Sequence, residues 1–118
     1  MRRAALRRLP AGVPTDEKSW QAEVVDIATT CGWQRRYHTF DSRRSTPGFP
    51  DLTLVRPPRL IFAEIKTERG RVTRDQWGWL ADLVACGAEC YVWRPSDRAD
   101  VDMVLASRSR IPWLEVST

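Results

Sequence analysis

At 118 residues the chain has room for one α/β domain and not for two. Its 42% hydrophobic and 29% charged residues favour a packed core and exclude a disordered chain. A net charge of +4, carried mostly by arginine, with a pI near 9.4, suits a phosphate-bearing partner, although basicity alone selects no function. No apolar run approaches membrane-spanning length, and the arginine-rich start lacks the apolar segment of a secretory signal. The three cysteines, Cys31, Cys86 and Cys90, are odd in number and point to a reducing, cytoplasmic setting. Drawn with His38 they make a poor zinc site: Gly87 interrupts them and the spacing fits no finger, so buried thiols are expected.

Residues 1–14 read as a basic tail with Arg2, Arg3, Arg7 and Arg8, closed by Pro10, Gly12 and Pro14. It is either a solvated terminus or an arm along a phosphate backbone. A first helix is expected from Asp16 to Cys31, capped by Thr15, with Asp16 and Glu17 at its positive start and Gly32 as its stop. Trp20, Val24, Ile27, Ala28 and Cys31 form its apolar stripe. Glu17 and Gln21 flank the stripe, within reach of a site at the helix–sheet boundary; Glu23 lies more to one side.

A strand of mixed polarity is expected over Trp33 to Phe40, then a loop to Pro47 carrying Arg43 and Arg44. Asp51 to Val55 and Leu60 to Lys66 read as strands pairing antiparallel across the Arg56-Pro57-Pro58-Arg59 turn. Thr67 to Val72 is a loop with Arg69 and Arg71. Thr73 and Gln76 have capping-box spacing and open a second helix with Trp77, Leu80, Leu83 and Val84 inward, ending at Gly87. Glu89 to Trp93 reads as a strand, parallel to the previous one because a helix connects them. Ser96 or Asp97 caps a last helix to about Ala106. The organisation expected is a tail over 1–14, a domain over 15–106 and a C-terminal tail over 107–118.

Glu64 and Lys66 stand out. Residues two apart on a strand project from one face, about 7 Å apart. Ile61, Ala63 and Ile65 face the other way. An acid and an amine at the end of an apolar strand are costly unless used, or else they form an exposed pair of small value. Asp51, after Gly48-Phe49-Pro50, is a turn residue or the second acid of a site. Asp51 and Glu64, with the Ile65 carbonyl, suit a hard divalent cation such as Mg2+ or Mn2+, which needs only one or two carboxylates. Lys66 would then orient an attacking water or stabilise charge on a phosphodiester. No organic cofactor is called for.

Gly48-Phe49-Pro50-Asp51 followed by Glu64-Ile65-Lys66 resembles the signature of PD-(D/E)XK nucleases. The details are similar to the VRR-NUC branch in its small stand-alone bacterial and phage form: Trp20-Gln21, Arg43-Arg44, Gln76 with Trp79, and Val92-Trp93-Arg94-Pro95-Ser96-Asp97. The resemblance implies an α/β fold with a restriction-endonuclease-like αβββαβ core, a mixed central sheet flanked by helices. It implies metal-dependent DNA cleavage, with Asp51, Glu64 and Lys66 as the acidic and basic site residues. The family's first-helix acid maps onto Gln21, a departure for which Glu17 or Glu23 would compensate. Gln76 matches a family glutamine near the site, and it also serves as a cap. Arg43, Arg44, His38, Arg69 and Arg71 are the expected DNA contacts, with His38 open to a plain structural reading. Trp33, Trp79 or Trp113 would be available to stack on a base. The expectation is a structure-selective endonuclease acting on branched, flapped or Holliday-junction DNA, as a homodimer held in part around Trp113. The alternative is a DNA-binding module of the same fold that no longer cuts.

Overall fold

The computed structural model describes residues 16–40 and 46–110. The order is α1 (Glu17–Thr30), β1 (Arg35–His38), β2 (Leu52–Arg56), β3 (Arg59–Ile65), α2 (Arg74–Ala85), β4 (Glu89–Trp93), a single 3-10 turn (Pro95–Asp97) and α3 (Arg98–Ala106). The strands form one mixed sheet in the order β1-β2-β3-β4, antiparallel for the first two pairings and parallel for the last. This is the expected mixed sheet flanked by helices, consistent with a restriction-endonuclease-like fold.

In α1 Trp20, Val24, Ile27 and Ala28 are buried, at the spacing that puts them on one helix face. The cap is Asp16, whose carboxylate accepts from Ser19 N at 2.8 Å; Thr15, the expected cap, lies outside the described residues. Trp20 Nε1 donates to Trp93 O at 3.0 Å, so the indole is both core and tie between helix and sheet. Leu52 and Leu54 pair with Ala63 and Ile61, placing four apolar side chains on one sheet face. The β2–β3 hairpin turns on Pro57-Pro58, so Arg56 and Arg59 are paired strand residues rather than turn residues.

β1 is shorter than expected. Trp33 precedes it as a fully buried core residue, its Nε1 donating to Leu105 O at 2.9 Å. That burial removes Trp33 as a base-stacking surface. β2 begins at Leu52, so Asp51 sits just before its strand. β4 is buried along its whole length. Before α3, Asp97 accepts from Arg94 N at 2.9 Å and caps the 3-10 turn; it makes no side-chain cap to α3 itself. α1 and α3 pack on each other, and α2 packs on β4.

At the start of β3 lies a buried charged cluster that the pattern of the sequence did not reveal. Arg59 and Glu89 are almost fully buried and form a two-pronged pair at 2.5 and 3.2 Å. Tyr91 donates to the same carboxylate at 2.7 Å. Arg59 also donates to Val104 O and Ser107 O, and Arg56 to Cys31 O, Leu105 O and Ser107 O. Both guanidiniums lie over the Trp33 ring. The two arginines thus close the ends of α1 and α3, where backbone carbonyls lack helical donors.

Candidate metal and nuclease site

The other end of β3 is where the sequence-derived residues meet. The loop before β2 explains why the segment is Gly-Phe-Pro-Asp. Gly48 has φ +91, and a Cβ there would lie 2.6 Å from the Asp75 carbonyl carbon at the start of α2. Phe49 wedges edge-on between Phe62 (5.9 Å) and Trp79 (5.0 Å), and Trp79 Nε1 donates to Pro47 O at 3.2 Å. Trp79 therefore clamps this loop, while it stays half-buried and lines a second cleft with Arg74 and Gly78. Thr39 holds the loop from β1, its N donating to Asp51 O at 2.9 Å and its hydroxyl to Pro50 O at 2.7 Å. Replacing Gly48 with alanine is expected to cost about 2–3 kcal/mol, from the forbidden dihedral and the clash with Asp75. Urea unfolding measures it; a loss below about 0.5 kcal/mol would mean the loop can relax.

This loop delivers Asp51. Its Oδ2 accepts from Ile65 N at 2.8 Å, fixing the carboxylate against the end of β3. Glu64 is 2% exposed and Lys66 8%, so the exposed-pair reading is excluded. Glu64 Oε2 accepts from Gln76 Nε2 at 2.9 Å and lies 3.8 Å from Lys66 Nζ. Its other oxygen, Oε1, is buried and has no hydrogen-bond partner. Gln76 does both things expected of it: its Oε1 accepts from Thr73 N at 2.8 Å, completing the capping box, while its amide holds Glu64.

Burial first, then the charge of Asp51 and a shared contact with its carboxylate, push the Glu64 carboxyl up to about 9, against the opposing pull of Lys66. Glu17 adds to that rise, and its own carboxyl is raised by partial burial and by Asp51. Glu17 thus belongs electrostatically to the site, one turn before Gln21 on the same helix face. Gln21 itself faces His38, Nε2 to Nε2 at 3.1 Å. Glu23 is drawn away into an ion pair with Arg98 at 2.5 Å and does not compensate.

A cleft of about 480 Å³ opens beside these groups, lined by Glu17, Lys18, Gln21, His38, Phe40, Asp51 and Gln76 among others, with Glu64 and Lys66 buried behind it. Glu17 carried a signal in sequence as the acid one turn before Gln21. Lys18 carried none, and Phe40 was read only as a strand end. Arg69 and Arg71 are exposed on the loop after Lys66 and do not line this cleft. Arg94 organises that loop, donating to Thr67 O, Glu68 O and Gly70 O. Arg43, Arg44 and Trp113 lie outside the described residues. Cys86 is exposed, Cys31 half-buried and Cys90 buried, so only one of the three is the expected buried thiol.

The donor set fits a hard cation. No group of three or more His, Cys, Asp or Glu side chains is poised for a metal among the described residues. Two acids converge here, Glu64 buried and Asp51 half-buried, the count at which magnesium is held with several waters retained. A divalent ion would give the orphaned Glu64 Oε1 a partner and offset the repulsion between Asp51 and Glu64.

No curated protein and no solved structure matches the chain. A family model described as VRR-NUC domain matches residues 4–97, well over half of the chain. With the mixed sheet and the acid, acid and amine converging at the end of β3, the chain belongs to the VRR-NUC domain family, whose function is that of a nuclease with DNA as substrate.

Proposed function

We propose that this chain is a metal-dependent DNA endonuclease with structure selectivity, cutting branched or flapped DNA and four-way junctions. The observation that supports it most is a buried carboxylate, Glu64, with one oxygen lacking any donor, beside Asp51 and Lys66. Asp51 and Glu64, with the Ile65 carbonyl, would hold Mg2+ or Mn2+. When bound, the ion supplies Lewis acidity toward the phosphoryl oxygen and the leaving oxygen. Gln76 orients Glu64, and Lys66 orients the water or balances charge developing on phosphorus. Glu17 adds a third carboxylate at the rim, where Gln21 brings no charge. His38, Lys18, Arg69 and Arg71, with Arg43 and Arg44, would position the phosphate backbone. Residues 15–106 act as the nuclease unit between two tails, and a homodimer would bring two sites to paired strands.

The second reading, a DNA-binding module that does not cut, is favoured by Gln21 standing where a carboxylate is expected and facing His38. One experiment separates the two. Linear, forked and four-way DNA are incubated with the protein and with Lys66→Ala, in magnesium, manganese or chelator. Cleavage in metal, none in chelator, and a loss of about 10²–10³-fold in the variant are expected. Salt-dependent binding with no cutting under any condition supports the module instead.

A further inference from the structure

The second cleft, of about 600 Å³, lies on the solvent side of α2, between that helix and the Thr46-Pro47 segment. Trp79 and Leu83 line it, both half-buried. Beside them Arg74, Gly78 and Asp82, all exposed, stand four residues apart and so form one ridge of the helix. Gly78 is in the interior of α2, where a glycine weakens a helix. Nothing inside the chain requires it there: a Cβ at this position would meet no atom within 4 Å. The flanking charges are unused as well. Among the described residues neither the Arg74 nor the Asp82 side chain has an ion-pair or hydrogen-bond partner. They are eight residues apart, about 12 Å along the helix, too far to pair with each other.

This face is a poor match for DNA, because Asp75 and Asp82 line it against a single arginine. It does match itself. The ridge carries a cation and an anion at equal distances on either side of a position with no side chain. A second copy turned by a two-fold axis through Gly78 sets Arg74 of each helix beside Asp82 of the other, with the two glycines letting the backbones approach. We infer that a second copy of this chain docks here, α2 antiparallel to α2, and covers Trp79 and Leu83. This rests on the homodimer of the proposed function and gives it a surface. That surface lies on the helix whose Gln76 holds Glu64, so the helix pair fixes the two sites relative to each other. The association itself requires no cleavage.

The test is sedimentation of the intact protein, Arg74→Asp, Asp82→Arg, an equal mixture of these two variants, and Gly78→Leu. It is run at about 100 µM, where a small interface of micromolar Kd is filled. Arg74 opens α2 and Asp82 lies in its last turn, so each swap suits the charge of its helix end and leaves folding intact. The intact protein sediments as a dimer. Each swap alone sets like charges against each other and raises the dimer Kd about tenfold or more. The mixture restores both opposite-charge contacts and dimerises again. Gly78→Leu is monomeric with both charges in place. A monomeric intact protein, a dimer unaffected by either swap, or a mixture that stays monomeric overturns the inference. The readout is mass, so it is independent of the nuclease reading: Asp51→Asn, which abolishes cutting on that reading, leaves the dimer unchanged.

Discussion

Replacing Glu64 with glutamine is expected to abolish cleavage, by about 10³-fold or more, while raising the melting temperature of the protein in chelator by several degrees. The two effects have one cause. The carboxyl is buried against Asp51 with one oxygen unpartnered, so without a cation beside it the fold must either carry its charge or take up a proton, and both cost stability. An amide keeps the bond from Gln76, removes the repulsion and can donate toward Asp51. The pH dependence follows from the direction of the shift. The folded carboxyl is raised from its ordinary 4.5 to about 9, so between these values the folded protein holds a proton that the unfolded chain has released. Stability in chelator is therefore full below about 4.5 and falls as pH rises toward 9. In Glu64→Gln that slope flattens. Added magnesium should raise the melting temperature of the intact protein and not of the variant, since only the former gains a ligand on binding. Identical melting curves for the two proteins across this pH range would show that Glu64 is not under electrostatic load.

Arg59→Met should be the most damaging substitution to stability, at about 3–5 kcal/mol, because it leaves the Glu89 charge buried without its partner. It also removes donors from Val104 O and Ser107 O, at and just beyond the end of α3. Adding Glu89→Leu to it should recover part of the loss, since the orphaned charge goes with it. Urea unfolding of the two variants measures both numbers; a single-variant loss below about 1 kcal/mol would mean water reaches Glu89. Cleavage per folded molecule should be unaffected. Arg59 and Glu64 are five residues apart on one strand, about 17 Å.

The helices and the last three strands were legible because their apolar pattern is strong, with Gly32 and Gly87 stopping the first two helices and prolines following β2 and β4. The pairing of Glu64 with Lys66 followed from strand geometry, and the link from Thr73 to Gln76 from helix-start chemistry. β1 was overextended because Arg35-Arg36-Tyr37-His38 is exposed throughout, which leaves no alternation to mark its ends. The cap of α1 was missed by one residue because Thr15 and Asp16 are both good caps. Arg59 and Glu89 are thirty positions apart, and only the parallel register that sets Glu89 beside Ile61 brings them together. Composition likewise does not tell a buried tryptophan from one that can meet a base, which is why Trp33 took another role. Glu23 is expected to lie more to one side of the helix than Glu17, yet the sequence leaves both as candidates for the missing acid. Only the position of Arg98 on α3 takes one of them out of the site.

The double attachment of Gln76 has a thermal consequence. The residue that aims Glu64 also closes the opening turn of α2, so loosening of that turn and misalignment of the acid are one event. Warming would then disarm the enzyme at the temperature where this single turn frays, below that of global melting. Conversely, at lower temperatures the acid is held ready before any substrate arrives.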